Sequence, residues 1–401
     1  MKRFFPVLTF ILLGFSQPAS AERVVYSEAD RAEPKIAFFM DGQGSLYPPA
    51  DINIDYTQMV SPRPAEGFSS LKALFRDKSR QDGGRDWQAV LVAAGVPRTQ
   101  SFEADWDRLQ AVYRAQAAAR IEAAAADMDQ VVLLIHGFNN DHREASQWYD
   151  VVEEEFGRFL AAHGQKAAFV RMYWDGLSGN PVAIWTAAQA NGPWVGLELR
   201  RVLNALPATL PLRVFTHSSG AFVMTNALGD NSSAFPDMGT EYRRRAAGGL
   251  GYEIPMLSNV RIAMLVPAQP VSAFAEFVHE DGSPHGLVPK RLILGTSRHD
   301  FATGKGRAFT SCRWYGATCM TTAPKTACER TWGDLGKKPM LVDFSQKWWG
   351  SHDHAVIAYM HDPQWRELTR GLLLDEPGVS QADGLCRQPV RSRKLRRAAQ
   401  P

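Results

Sequence analysis

The chain has 401 residues, of which 45% are hydrophobic, and a formal net charge of +3. That apolar share over such a length is enough for a large buried core. A charge so near balance gives no reason to expect nucleic acid as a partner.

In chain order, the first segment reads as a leader. Lys2 and Arg3 supply a positive start, Val7 to Phe15 an apolar stretch, and Ala19-Ser20-Ala21 a small-x-small cleavage site. This pattern predicts a signal peptide over 1–21, a mature chain starting at Glu22, and export to the periplasm or the medium. The apolar stretch is too short to span a bilayer. No cysteine lies near the cleavage site to carry a lipid. No stable transmembrane anchor is therefore expected.

The rest reads as one α/β domain over 22–375 with a basic tail over 376–401. Lys35 to Met40 reads as a strand, and Asp41-Gly42-Gln43-Gly44 as a turn. From Asp51 to Gln100 the pattern is irregular, which predicts long loops and one short helix near Ser69 to Phe75. Asp105 to Met128 sets Trp106, Leu109, Val112, Tyr113 and Ile121 on one face, an amphipathic helix. Val131 to Ile135 is a continuous apolar run, as a central parallel strand requires. It ends in His136-Gly137-Phe138-Asn139-Asn140. Arg143 to Ala162 is helical, Ala167 to Trp174 a strand, and Ala183 to Leu206 a helix whose first part is broken by Gly192-Pro193. Leu212 to Phe215 runs as a strand into Thr216-His217-Ser218-Ser219-Gly220, followed by a helix from Ala221 to Leu228 closed by Gly229. Val260 to Val266, Arg291 to Thr296 and Pro339 to Phe344 are further strands. The last leads through Trp348-Trp349-Gly350-Ser351-His352-Asp353-His354 into a helical pattern. Strands alternating with helices predict a mainly parallel sheet flanked by helices.

A serine on a sharp turn between a strand and a helix resembles the nucleophile elbow of the α/β-hydrolases. The turn lifts the hydroxyl above the sheet, and the helix N-terminus favours developing negative charge. A serine hydroxyl is a weak nucleophile alone, so a base, an orienting acid and an oxyanion hole are needed. The strand ending in His-Gly resembles the oxyanion-hole loop of lipases and esterases. An acid after one late strand and a histidine after the next follow the chain order of such a triad. The set Ile135 to Asn140, Tyr173-Trp174-Asp175-Gly176, Thr216 to Gly220, Leu265-Val266-Pro267-Ala268 and Ser297 to Asp300 is similar to bacterial α/β-hydrolases. Their signature is a strand ending in His-Gly-Phe-Asn-Asn. One position departs: Thr216 stands where Gly-x-Ser-x-Gly begins with glycine.

The resemblance implies a serine esterase with Ser218 as nucleophile, His352 as base, Asp300 as orienting acid, and the N–H groups of Phe138 and Ser219 as the oxyanion hole. It implies no cofactor and no metal. His352 is the first choice for the base because the base sits on a loop with freedom to face the serine; His354 is the alternative, placed in the first helical turn. His136 and His217 are assigned to packing and hydrogen bonding, His299 to solvent. The substrate is a small-molecule or lipid ester. Trp174, Trp185, Trp194, Trp314, Trp348 and Trp349 are candidates for lining its pocket, although aromatic residues are more often core. Two rival readings are acyl transfer at the same site and a non-catalytic envelope-binding protein that keeps the fold.

Cys312, Cys319 and Cys328 fall between the acid and histidine strands, and Cys386 falls in the tail. An even count in an exported chain favours two disulfides, most simply Cys312–Cys319 and Cys328–Cys386. The segment 302–338 is expected as a disulfide-containing insertion, a rim or lid by the site. Arg391, Arg393, Lys394, Arg396 and Arg397 make the tail basic, a solvated end.

Overall fold

A computed structural model describes residues 23–49, 54, 56, 59, 70–80, 82–179, 181–229, 255–275, 277, 286–300, 302–303, 318–346 and 354–375. The expected leader, the tail, Cys312, Cys386, His352 and the tryptophans Trp314, Trp348 and Trp349 lie outside them, as does the side chain of Trp185.

The strands are β1 (Ile36–Met40), β2 (Gln130–Ile135), β3 (Ala167–Trp174), β4 (Leu212–His217), β5 (Val260–Leu265), β6 (Arg291–Thr296) and β7 (Met340–Asp343). They form one seven-stranded sheet in the order β1-β3-β2-β4-β5-β6-β7, and every neighbouring pair is parallel. Every residue of β2, β4 and β5 is buried. This is why consecutive apolar residues occur in each of them, such as Val214-Phe215 in β4: helices cover both faces.

The helices are α1 (Glu28–Arg31), α2 (Leu71–Arg80), α3 (Arg85–Ala93), α4 (Phe102–Ala125), α5 (His142–Ala162), α6 (Pro181–Asn204), α7 (Gly220–Leu228), α8 (Pro324–Leu335), α9 (Val356–Met360) and α10 (Gln364–Leu373). Local chemistry sets several starts. The Ser101 side chain accepts from the Ala104 N–H to cap α4, and Asp141 with Glu144 forms a capping box on α5. No helix among the described residues is long and apolar enough to cross a membrane.

Three expectations are corrected. The irregular stretch before residue 100 holds two helices, α2 and α3, whose Phe75 and Trp87 pack with Phe102 and Trp106 of α4. That aromatic cluster is tertiary, so no local period announces it. Helix α6 continues through Gly192-Pro193. Its glycines let it lie against α7: a Cβ on Gly192 would sit 2.5 Å from the Phe222 ring, and one on Gly196 2.6 Å from the Val223 carbonyl. Close packing of the two helices outweighs the lost backbone bond. The segment 302–338, which shows no period, contains α8 and a buried stretch around Met320 and Thr321. That stretch is tied to the loops after β5 and β6 by bonds from Met320 N–H to Gln269 O (2.9 Å), Ser297 N–H to Thr321 O (3.0 Å) and Thr321 Oγ1 to Pro267 O (2.6 Å). Cys319 and Cys328 are buried and neither thiol is free. No disulfide joins two described residues; in the expected pairing each of these cysteines bonds one outside them.

The chain leaves β2 toward β3 on one side and returns to β4 on the other. The strand order reverses between β2 and β4, at their carboxyl ends. Ligands of open parallel sheets bind at such a point. The loop after β2 and the turn after β4 both face it.

The α6–α7 contact gives a stability test. An alanine at Gly196 would gain helix propensity of about 1 kcal/mol, but its Cβ would meet backbone that cannot rotate away. Overpacking at about 1–3 kcal/mol wins. Gly196→Ala is expected to unfold at lower urea concentration than the parent; an equal or higher midpoint would contradict the contact.

Candidate active site

Ser218 follows β4 directly and has φ +54°, a left-handed conformation that a non-glycine residue rarely adopts. The turn is pinned from the next strand's loop. Ser218 N–H donates to Leu265 O (3.0 Å), and Ser218 O accepts from Ala268 N–H (3.2 Å). The Leu265 to Ala268 stretch is therefore a cradle for the elbow. Val266 within it is itself left-handed (φ +41°), held by its N–H on Gly295 O (2.7 Å). A β-branched residue there is strained and persists because both neighbouring strands fix it.

Two glycines provide the room. A Cβ on Gly220 would sit 2.6 Å from Ile135 O and 2.7 Å from His136 O, so α7 can start directly beside β2. A Cβ on Gly137 would sit 2.8 Å from the Ser218 Cβ. Thr216 is tolerated because it still belongs to β4, paired with Ile135 and Met264 and fully buried. The close approaches that the elbow needs fall at Gly137 and Gly220 instead.

His354 joins the serine to the acid. Its Nε2 lies 2.7 Å from Ser218 Oγ and its Nδ1 2.7 Å from Asp300 Oδ2. A carboxylate accepts, so the Nδ1 carries the proton and Nε2 is free to take one from the hydroxyl. The structure thus puts His354 where His352 was expected. The reason is the helix boundary: α9 begins only at Val356, so His354 belongs to the loop, with φ +53°. His352 lies outside the described residues.

Asp300 is fully buried and takes four donors. Oδ1 accepts from Thr303 N–H (2.8 Å) and Thr303 Oγ1 (2.6 Å); Oδ2 accepts from His354 and from the Tyr359 hydroxyl (2.7 Å). Burial pushes the carboxyl up, but His354 and Thr303 together hold it at about 2, so it stays ionised. Neither Thr303 nor Tyr359 was picked out from sequence. Thr303 has a faint local signal, a hydroxyl three residues after an aspartate. Tyr359 has none, because only the fold brings α9 over the acid.

Phe138 and Ser219 come together: Phe138 N–H donates to Ser219 Oγ at 3.1 Å. Around them the Tyr173-Trp174-Asp175-Gly176 stretch acts as a scaffold. His136 is locked by four bonds. Its Nδ1 donates to Gly137 O (2.7 Å), and its Nε2 accepts from Trp174 N–H (3.0 Å). Its O accepts from the Trp174 indole (2.9 Å), and its N–H donates to the Tyr149 hydroxyl (2.9 Å). Gly176 O accepts from Asn139 N–H (3.3 Å). The buried Asp175 carboxylate takes Arg23 (2.6 Å) and the N–H groups of Val24 and Leu177 (3.0 Å each). Trp174 is wholly buried in this scaffold.

The other titratable groups lie outside the Ser218–His354–Asp300 series itself. Burial holds His136 down at about 4, and burial together with the nearby His354 holds His217 at about 3, so both are neutral. His299 is exposed, and Asp343 accepts from Ser345 N–H (2.9 Å). No family model, curated protein or solved structure matches the chain. The site therefore defines a class by geometry alone: a parallel α/β sheet with a serine, a histidine and a buried carboxylate in hydrogen-bonded series at its switch point.

The two neutral histidines set a pH dependence. Their folded pKa values lie below the free value of about 6.5, so between roughly pH 6.5 and 4 the unfolded chain binds protons that the folded chain refuses. Their contribution to stability falls as pH drops through that window. His142, raised beside Asp30 and Glu33 against the pull of burial, and the carboxyls of Asp41 and Asp334, pushed up by burial to about 6, act in the opposite sense. The histidine part is isolated by His217→Gln, which has no ring to titrate: in urea unfolding at pH 7 and pH 5 the variant is expected to lose less stability, or gain more, at the lower pH than the parent, and an equal change in both would contradict it.

Proposed function

We propose that the chain is a serine hydrolase of the α/β-hydrolase type that cleaves an ester through an acyl-enzyme. The observation that carries this reading is His354 bridging Ser218 and Asp300 at 2.7 Å on each side, with the serine on a left-handed turn. A surface serine has no use for such an arrangement; a nucleophile does.

In the proposed reaction Ser218 Oγ attacks the ester carbonyl carbon while its proton passes to His354 Nε2. The imidazolium is stabilised by Asp300, whose four donors fix it as a carboxylate. The carbonyl oxygen becomes an oxyanion facing the N–H groups of Ser219 and Phe138, next to the N-terminus of α7. For the Phe138 N–H to serve, the Ser219 hydroxyl must give up its bond to it. His354 returns the proton to the leaving alcohol, and water then repeats the sequence to release the acid. Export under the leader 1–21 belongs to the same reading.

The experiment is a set of variants assayed on p-nitrophenyl esters. Ser218→Ala and His354→Ala should each lose turnover by about 10⁶-fold, and the double variant by little more, because the pair acts as a unit. Asp300→Asn should fold and lose about 10⁴-fold. His352→Ala should stay within a few-fold of the parent. Retained fluorophosphonate labelling of Ser218→Ala would remove the nucleophile assignment. Loss of activity in His352→Ala with retention in His354→Ala would restore the other base.

A further inference from the structure

The base is carried by a loop residue in a left-handed conformation, and something must hold it there. His217 is the residue before the nucleophile, and its Nε2 lies 2.7 Å from the backbone oxygen of His354. A carbonyl only accepts, so Nε2 carries the ring's proton and donates it. The two imidazoles pack with centroids 4.9 Å apart, and Trp148 closes the other side of His217 edge-on at 6.2 Å.

We propose that His217 is a positioning residue that clamps the backbone of the base, fixing His354 in register with Ser218. The elbow then supplies two things from adjacent positions of one rigid strand end: the nucleophile at 218 and the clamp for its base at 217. A strand end is a more precise anchor than a loop. Because successive strand residues point to opposite faces, His217 reaches the loop while the sharp turn at Ser218 brings its hydroxyl round to the same histidine. The clamp reaches His354 through the backbone and leaves both ring nitrogens free for Ser218 and Asp300.

The neutral state of His217 suits this role. A charged ring so close would oppose the imidazolium that forms on His354 during the reaction. Burial prevents that, and the neutral ring still has the one N–H that the carbonyl needs. The other elements facing His354 bring Asp300 and the Tyr359 hydroxyl, which bind the acid side of the relay and not the backbone.

The proposal rests on the hydrolase reading, and the test separates the two. His217→Phe keeps an aromatic ring and removes the donor; His217→Gln keeps an amide N–H at similar reach; His217→Asn has the donor too short. With a p-nitrophenyl ester, the Phe and Asn variants should show kcat lowered by about 100-fold, the cost of a misplaced catalytic group, with KM near the parent. The Gln variant should recover most of the loss. Unchanged kcat in the Phe and Asn variants, or a Gln variant as impaired as they are, would overturn the clamp. A parent without turnover or phosphonate labelling would count against the hydrolase reading, and the clamp is then decided by NMR. The downfield proton of His354 Nδ1 on Asp300 should broaden or vanish in Phe and Asn and return in Gln; its persistence in all three would overturn the proposal. If the Phe variant does not fold, the Gln and Asn pair makes the same comparison.

Discussion

The left-handed turn at Ser218 is the constraint on which the site depends. A non-glycine residue held there costs on the order of 1–3 kcal/mol, and no residue of the turn could hold it alone. It persists because the flanking strand β4 is central and wholly buried, because Leu265 and Ala268 take its backbone N–H and carbonyl, and because Gly137 and Gly220 leave space for it against β2. The strand order places these contacts: β4 lies between β2 and β5, so one neighbour supplies the facing loop and the other the cradle. The reversal of strand order between β2 and β4 and the placing of the Ser218 hydroxyl at the strand ends are consequences of the same topology.

Around that turn, neighbouring titratable groups are held in opposite charge states. His136 and His217 are buried and neutral, each fixed as one tautomer by carbonyl or N–H partners. Asp300 is buried and ionised because four donors converge on it. His354, with its side chain 16% exposed, lies between the Ser218 hydroxyl and the Asp300 carboxylate. Groups whose environments drive them to opposite protonation states at one pH are the usual arrangement for acid–base work.

The far end of the sheet anchors the segment that carries the base. Arg213, Arg261 and Arg291 stand directly opposite one another on β4, β5 and β6. Such a row of like charges is unfavourable, and burial with mutual repulsion lowers the pKa of Arg213 to about 9. Two of the three find use at the C-terminal end of α10: Arg261 donates to Leu374 O, and Arg291 to Gly371 O at 2.9 Å. Cations belong at a helix C-terminus. The bonds fix α10 against the strand ends, and α10 follows His354 and α9 in the chain, so the segment from His354 onward is tied at two points: to the elbow through His217 and to the sheet through α10.

The sequence by itself determined the alternation of strands and helices, since buried parallel strands must be continuously apolar and amphipathic helices periodic. It also marked the elbow at Thr216 to Gly220, the His-Gly loop after β2 and the acid after β6, because each is a short local pattern at a strand end. What it left open was which of two histidines meets the serine. His352 and His354 differ by the onset of α9, and a helix start without a capping side chain leaves no local mark. Nor did the residues show that Gly192-Pro193 would remain helical, that α3 would form and join α2 and α4 in an aromatic cluster, or that Tyr359 and His217 would bear on the relay. Each of these depends on contacts between residues distant in the chain: Tyr359 and Asp300 are 59 apart, His217 and His354 137 apart. Only the assembled fold brings such pairs within hydrogen-bond distance, and the energy that fixes them is that of packing, which a local pattern does not contain.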